Sequence, residues 1–372
     1  MTIGSLFSGA GGFELAATKA GMTPLWASEI EPYAIAVTSA RFPGMEHLGD
    51  IRAIHGGEIA PVDVVCGGSP CQDMSTSSPT RGEGVHGERS GLFWEMIRVI
   101  KEMKEATHGE YPRFVVFENV PGALSCHGGE DFAQIVEAFA SLCAGGVHVP
   151  RPQRWQNAGV VVGDGWSLAW RVMDSQYFGV AQRRKRVYLV LDSGSERAWE
   201  VLFEREGREG LAGADEPLGQ SAASPTEGSA PGLCRAVDNH QQDCRLRLYG
   251  ETDPLPTLSH KMGTGGNNVP LVLCVGNKQI NQSAMTPQAG TLNCMHDQQV
   301  VYVDDGNGPI LRRLTPLECL RAQGYPDRWW EDVPGSDTAR YRLMGNSVAI
   351  PVVSAIMRSL AAHAGRTTFI PF

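Results

Sequence analysis

Six short stretches of this chain bring together residue types that do chemistry. Gly67-Gly68-Ser69-Pro70-Cys71-Gln72 puts a thiol on a loop shaped by glycine and proline. As a thiolate it is a nucleophile. Glu118-Asn119-Val120-Pro121-Gly122 offers a carboxylate able to protonate or hydrogen-bond a base ring. Phe7-Ser8-Gly9-Ala10-Gly11-Gly12-Phe13 is a glycine-rich turn. Glycine lets backbone approach a ligand, and a helix starting there presents amides to polar or anionic groups. Ala27-Ser28-Glu29 ends in an acid of the kind that binds ribose hydroxyls in doubly wound folds. Gln182-Arg183-Arg184-Lys185-Arg186 concentrates positive charge, and Gly345-Asn346-Ser347-Val348 is a polar turn. Taken singly, each also has a plain reading: a tight turn, a solvated glutamate, a half-buried cysteine, a cap, a solvated basic run.

The elements that must position these residues alternate. Residues 2–7, 24–27, 62–66, 114–117 and 186–191 read as strands. Helices are predicted over 13–20, 33–41, 92–104 and 131–142. The third of these has Leu92, Met96, Val99, Ile100 and Met103 at helical spacing. Near-continuous apolar strands between helices predict a mostly parallel sheet covered on both faces. Composition changes near Ser193. Residues 193–309 are rich in Gly, Ser, Pro, Asn and Gln, with short strand-like pieces. Segments 256–272 and 290–303 echo one another as a two-copy β unit, or stand as two unrelated hairpins. Helical signals return at 315–323, where Thr315 and Glu318 have capping-box spacing, and at 351–362.

The chain has 372 residues, 42% of them hydrophobic and 20% charged, which is ordinary for a soluble globular enzyme. Collagen, low-complexity disorder and a disulfide-rich miniprotein are excluded. No run of apolar residues is long enough for a transmembrane helix, and the N-terminus does not read as a secretory signal. The nine cysteines are odd in number and contain no C-x-x-C pair. Cys66 and Cys71 have no histidine at zinc spacing, so free thiols in a reducing cytoplasm and no metal are expected. The net charge of −9 argues against a polyanionic partner. Yet residues 151–186 carry seven Arg/Lys against two Asp, so a basic face stays open.

In order and spacing these stretches resemble the DNA (cytosine-5)-methyltransferase family, bacterial and phage members above all. The resemblance covers 2–192 and 311–360. Pro70-Cys71-Gln72, Glu118-Asn119-Val120, the Gln-Arg-Arg-x-Arg run and Gly345-Asn346-Ser347-Val348 occur in the family's order. It implies an α/β, Rossmann-like S-adenosylmethionine-dependent methyltransferase domain formed by 1–192 and 310–372. A small, β-rich, irregular target-recognition domain would be inserted at 193–309. The implied activity is methylation of cytosine C5 in a specific double-stranded DNA sequence, on a base flipped out of the duplex.

The resemblance also assigns roles. Cys71, beside Pro70, would add to C6 of the cytosine. Glu118 would hydrogen-bond N3 and the amino group, with Asn119 next to it. Arg184 and Arg186 would face the base carbonyl, the active-site loop or a phosphate. S-adenosylmethionine would lie against Phe7, Gly9, Ala10, Gly11, Gly12, Glu29, Ile30, Asp50, Ile51, Asn346 and Val348. Gln72, Ser75, Arg81 and Arg183 would contact DNA, and Arg245, Arg247 and Lys261 are candidates for reading bases. Ser5 departs from the family, which often has Asp before the Leu-Phe pair. Ile30 would pack beside adenine. The implied setting is a monomer on duplex DNA in a bacterial or phage-infected cytoplasm, away from membranes. A cognate restriction endonuclease is left open as a partner. Three rivals stand beside this reading: a tRNA-modifying methyltransferase, a dinucleotide-dependent oxidoreductase, and a non-enzymatic DNA-binding protein with a decayed site.

Overall fold

The computed structural model describes residues 1–69, 91–203 and 314–367, with the backbone of four strands at 233–239, 246–248, 271–275 and 310–313. The chain falls into two compact units. The first comprises Met1–Asp174, Lys185–Gly213 and Val348–Phe372; the second comprises Ser175–Arg184 and Ala214–Ser347.

The first unit is built on one eight-stranded sheet. Its strands are β1 (Thr2–Leu6), β2 (Thr23–Ser28), β3 (Glu46–His47), β4 (Val64–Gly67), β5 (Phe114–Asn119), β6 (Ala158–Gly163), β7 (Trp166–Asp174) and β8 (Lys185–Asp192). Their order across the sheet is β3-β2-β1-β4-β5-β8-β7-β6. β1 to β5 run parallel, and β8, β7 and β6 continue the sheet antiparallel. β1 leads outward to β2 on one side while β4 lies on the other. The switch point of the topology therefore falls between β1 and β4, where open α/β sheets bind ligands.

The helices are α1 (Gly12–Lys19), α2 (Pro32–Arg41), α3 (Leu92–Ala106), α4 (Glu130–Ser141), α5 (Trp199–Leu202), α6 (Pro316–Ala322), α7 (Asp337–Asn346) and α8 (Ile350–Thr367). α6 and α7 belong to the second unit. Alternation of apolar strands and amphipathic helices produces the expected core. Phe93, Met96, Val99, Ile100 and Met103 of α3 are all buried. The Phe93 ring lies 5.4 Å from Phe117 of β5 and 5.6 Å from Phe139 of α4, so three elements share one apolar centre. Among the described residues no single helix is long and apolar enough to cross a membrane.

Two features add to the sequence expectations. Residues 151–186, read there for charge alone, contain the β6–β7 hairpin. Its two-residue turn is Asp164-Gly165, with Gly165 at φ +73° and Gly163 paired to Trp166. Asp-Gly between apolar runs is the signal that announces such a turn. The segment before Gly345, unassigned from sequence, is helix α7. Residues 175–184 and 310–347 group with the second unit, and the chain rejoins the first only at Val348. Returning helical periodicity at 315 marks an element type. It says nothing about which core that element packs on.

In the second unit, α6 carries the capping box read from the sequence. The Thr315 hydroxyl accepts from the Glu318 amide at 3.2 Å, and the Glu318 carboxylate accepts from the Thr315 amide at 2.7 Å. β9 (Leu233–Asn239), β10 (Leu246–Leu248), β11 (Leu271–Val275) and β12 (Ile310–Arg313) form an antiparallel sheet in the order β10-β9-β11-β12. Apart from β11, the two-copy β unit lies outside the described residues.

Candidate active site

The glycine-rich turn leaves β1 in strained backbone. Phe7 has φ +59°, and Gly9 and Gly11 have φ +53° and +77°. Only glycine adopts that region without cost, which accounts for two of the three positions. The Ser8 amide donates to the Ser28 carbonyl at 3.1 Å, tying the turn to the end of β2. One residue on, the Gly9 amide donates to Glu29 Oε2 at 2.8 Å. Glu29 Oε1 accepts from the amides of Ile30 and Glu31 at 2.8 and 3.0 Å. The carboxylate is thus fixed at the strand edge by three amides. Gly12 opens α1, and Gly11 before it supplies no side-chain cap.

Ile30 stands 64% exposed beside this turn. The Ser8 hydroxyl is buried without a hydrogen-bond partner among the described residues. Asp50 caps the turn Ile51–Ala53 and is gripped by Arg52, whose guanidinium reaches Oδ2 at 2.6 Å. That contact holds the Asp50 carboxyl below its ordinary range. The Ile51 side chain is buried, so only its backbone could meet a ligand.

Glu14 was not read from the sequence as a site residue, yet it lies within this turn's support. It sits in the first turn of α1, fully buried, with the Ser5 hydroxyl donating to its Oε1. Burial pushes its carboxyl up to about 7. Ser5 occupies the position where the resembled family often has Asp. Here an acid from α1, nine residues on, meets the Ser5 hydroxyl.

β4 and β5 bring the next two stretches side by side. Gly67 of β4 pairs with Phe117 of β5, so Gly68 follows alongside Glu118. A Cβ at Gly68 would lie 2.8 Å from Glu118 Oε2, and one at Gly67 would lie 2.7 Å from the Leu6 carbonyl. The two glycines are therefore steric requirements of the strand exit. Pro70, Cys71, Gln72, Ser75 and Arg81 lie beyond it, outside the described residues.

Glu118 faces Arg186 of β8, with Nε 2.9 Å from Oε1 and both side chains largely buried. The contact is an ion pair, but it lacks hydrogen-bond alignment: Oε1 has no hydrogen-bond donor among the described residues. Asn119 is 1% exposed, and its Oδ1 accepts from the Val120 amide at 2.7 Å.

The basic run alternates in exposure. Gln182 and Arg184 are buried, while Arg183 and Lys185 are exposed. Arg184 Nη2 donates to the Ser347 and Gly345 carbonyls at 2.5 and 3.2 Å. These carbonyls cluster at the C-terminal end of α7, where a cation is favoured by the helix dipole. Gln323 Nε2 donates to the Met344 carbonyl at 2.8 Å, and Tyr325 meets Ser347 Oγ at 2.5 Å. Arg184 thus shapes the Gly345-Asn346-Ser347 turn, and Asn346 remains exposed on it. Val348 opens the returning segment of the first unit. Arg247 lies on β10, opposite Asp238 of β9, whereas Arg245 and Lys261 lie outside the described residues.

A switch-point turn with strained glycines, beside a strand edge bearing Glu118 and Arg186, defines a Rossmann-like α/β domain of the methyltransferase kind. The chain belongs to the C-5 cytosine-specific DNA methylase family, whose description matches residues 1–206 and 232–362. It is similar to a DNA N-6-adenine-methyltransferase of Escherichia phage P1, 27% identical over 94% of this chain and 60% of that one. It is also similar to the Type II methyltransferase M2.BsuMI of Bacillus subtilis, 34% identical over 56% of this chain and 46% of the relative. The chain therefore spans between about half and three fifths of these curated relatives. Among solved structures, an Entamoeba histolytica methyltransferase aligns over 98% of both chains with a TM-score of 0.61 at 12% identity.

Proposed function

We propose that this protein methylates cytosine at C5 within a specific sequence of double-stranded DNA, using S-adenosylmethionine. The observation that carries the reading is the buried Glu118–Arg186 pair abutting Gly68, at the point where the chain leaves β4 toward Cys71. C5 of cytosine is too weak a nucleophile to take a methyl group directly. Addition of the Cys71 thiolate at C6 makes the ring enamine-like and directs electron density to C5. Glu118 hydrogen-bonds N3 and the amino group as that density shifts, and Arg186 holds the Glu118 carboxylate in place. Once C5 carries the methyl group, loss of its proton to solvent and departure of Cys71 as thiolate restore the ring. Because C6 is unreachable inside a stacked duplex, the base must be flipped out.

The glycine-rich turn fits the cofactor. Amides at the start of α1, the Ser8 hydroxyl, the Glu29 carboxylate and the exposed Ile30 offer polar contacts beside an apolar surface. Asn346 and Val348 are further candidates. Bound there, S-adenosylmethionine supplies an electrophilic methyl group.

Sequence reading is assigned to 193–309, which carries eight Arg/Lys against fifteen Asp/Glu. That balance suits base-edge contacts better than general phosphate affinity. Arg245, Arg247 and Lys261 are its candidates, while the basic residues of 151–186 are candidates for phosphates. A cognate restriction endonuclease accords with the Type II relative.

The name of the phage relative makes adenine N6 the second reading. An exocyclic amine carries its own lone pair and needs no thiolate adduct, so Cys71 discriminates between the two. Duplex DNA bearing 5-fluorocytosine should trap a covalent complex through Cys71. DNA from cells expressing the protein should contain 5-methylcytosine, and none should form with Cys71→Ala. Trapping through another cysteine, or N6-methyladenine surviving Cys71→Ala, would overturn the reading.

A further inference from the structure

The segment between β5 and α4 gathers donors that the methylation chemistry leaves unused. It consists of two short 3-10 turns, Pro121–Leu124 and Cys126–Gly129. His127, Gly128 and Gly129 all have positive φ, at +47°, +69° and +93°. Trp155 pins the turn from both sides. Its Nε1 donates to the Gly129 carbonyl at 2.8 Å, and its ring fills the space of a Cβ at Gly129.

This backbone brings Cys126 Sγ, His127 Nδ1 and an Asp131 carboxylate oxygen within 4.8 Å of one another. His127 Nδ1 lies 3.0 Å from Asp131 Oδ2 and 3.8 Å from Cys126 Sγ. Both neighbours approach the same ring nitrogen. A nucleophilic relay would need thiol and carboxylate on opposite nitrogens, so the cluster is not a cysteine–histidine–aspartate triad. Convergence on one point is instead the arrangement of metal ligands. A tetrahedral zinc ion spaces sulfur, nitrogen and oxygen ligands by about 3.3–3.6 Å. The two distances bracket that range. A thiolate and a carboxylate together balance a divalent charge.

The side chain of Asp131 is 3% exposed and that of His127 is 41% exposed. Buried carboxylates are paired or coordinate metals. A simple His127–Asp131 pair at the start of α4 would satisfy the acid, and the thiol converging on the same ring nitrogen adds a third donor.

We propose that Cys126, His127 and Asp131 form a divalent-cation site of the zinc type, with solvent at the fourth position. Binding releases the thiol proton. The cysteine pattern of the sequence did not suggest this site, because its third ligand is an aspartate four residues beyond the histidine. The ion would clamp the turn that leaves the strand bearing Glu118.

The test uses the full chain, stripped with a chelator and titrated with cobalt(II) alone. The expected result is one cobalt per chain, with a thiolate-to-cobalt charge-transfer band and tetrahedral visible bands, displaced by zinc. Cys126→Ser should lose the charge-transfer band while keeping its circular dichroism. His127→Asn, which tolerates the left-handed backbone, should weaken binding at least about 10-fold. Zinc should raise the melting temperature of the parent protein but not of either variant. An intact band in Cys126→Ser, or no cobalt bound above the Cys126→Ser level, would overturn the site. None of these readouts depends on methylation.

Discussion

The antiparallel pair β5–β8 carries one carboxylate and one arginine at each end, and the two ends treat them differently. At the end away from the site, Asp192 is fully buried. It accepts from Arg113 at 3.1 and 3.2 Å, from Ser195 at 2.7 Å and from the Gly194 amide at 2.9 Å, and His363 Nε2 lies 2.8 Å away. Burial alone would raise its carboxyl. The hydrogen bonds from His363, Arg113, Ser195 and Gly194 outweigh burial and hold it at about 2. At the site end, Glu118 has a single ion pair and an oxygen without an aligned donor among the described residues. Nearby Glu14 is buried against one serine hydroxyl, and burial carries it to about 7. A saturated carboxylate holds the fold. An undersupplied one keeps capacity for a further partner and leaves a cost in the resting protein.

Removing the saturated acid should have the largest effect on folding. Asp192→Ala strands Arg113 and opens a buried network, for an expected loss of about 3–5 kcal/mol in urea denaturation. Activity per folded molecule should stay normal. A stable Asp192→Ala protein would break the contrast between the ends.

Glu14 tests the opposite case. Its folded carboxyl titrates near 7 against an ordinary 4.5. As pH rises above about 4.5 the unfolded chain loses this proton first, so stability should fall until about pH 7 and then level. The full drop is about 3 kcal/mol. Glu14→Gln should flatten that limb and be the more stable protein at pH 8. An unchanged pH profile would show that the carboxyl is already ionised in the folded state.

Glu118→Gln separates chemistry from stability. A loss of about 10²-fold or more in single-turnover methylation is expected, about 2.7 kcal/mol of barrier, with little change in unfolding. A large stability loss with normal turnover would make the two ends alike. The smallest effect belongs to acid unfolding. Asp192 sits below its ordinary 3.8 when folded, so its contribution is complete above that pH and is lost as pH falls toward about 2. That limb amounts to about 2 kcal/mol and should shrink in Asp192→Asn.

Much of this was legible along the chain. The apolar runs at 62–66 and 114–117 announced buried parallel strands, and β4 and β5 are buried almost throughout. Thr315 and Glu318 announced a cap that forms with both its bonds. The Asp164-Gly165 turn between apolar runs is an equally local signal, and it closes the β6–β7 hairpin. α7 was harder to see: Asp337–Asn346 buries only Leu343, Met344 and Gly345, too few for an apolar stripe.

The sequence by itself determined which groups leave the strand ends: a flexible turn, an acid after β2, glycines before a cysteine, and Glu-Asn after β5. Strand propensity and glycine freedom are local, so order along the chain carries them. Only the tertiary structure decided how each charge is used. Arg184 turns inward to carbonyls about 160 residues away, while Arg186, two residues on, pairs with Glu118. Asp192 gains donors from β5's approach and from α8, and Glu14 gains one hydroxyl. Charge and residue type are written in the chain. Desolvation and the number of donors are set by neighbours that only folding assembles.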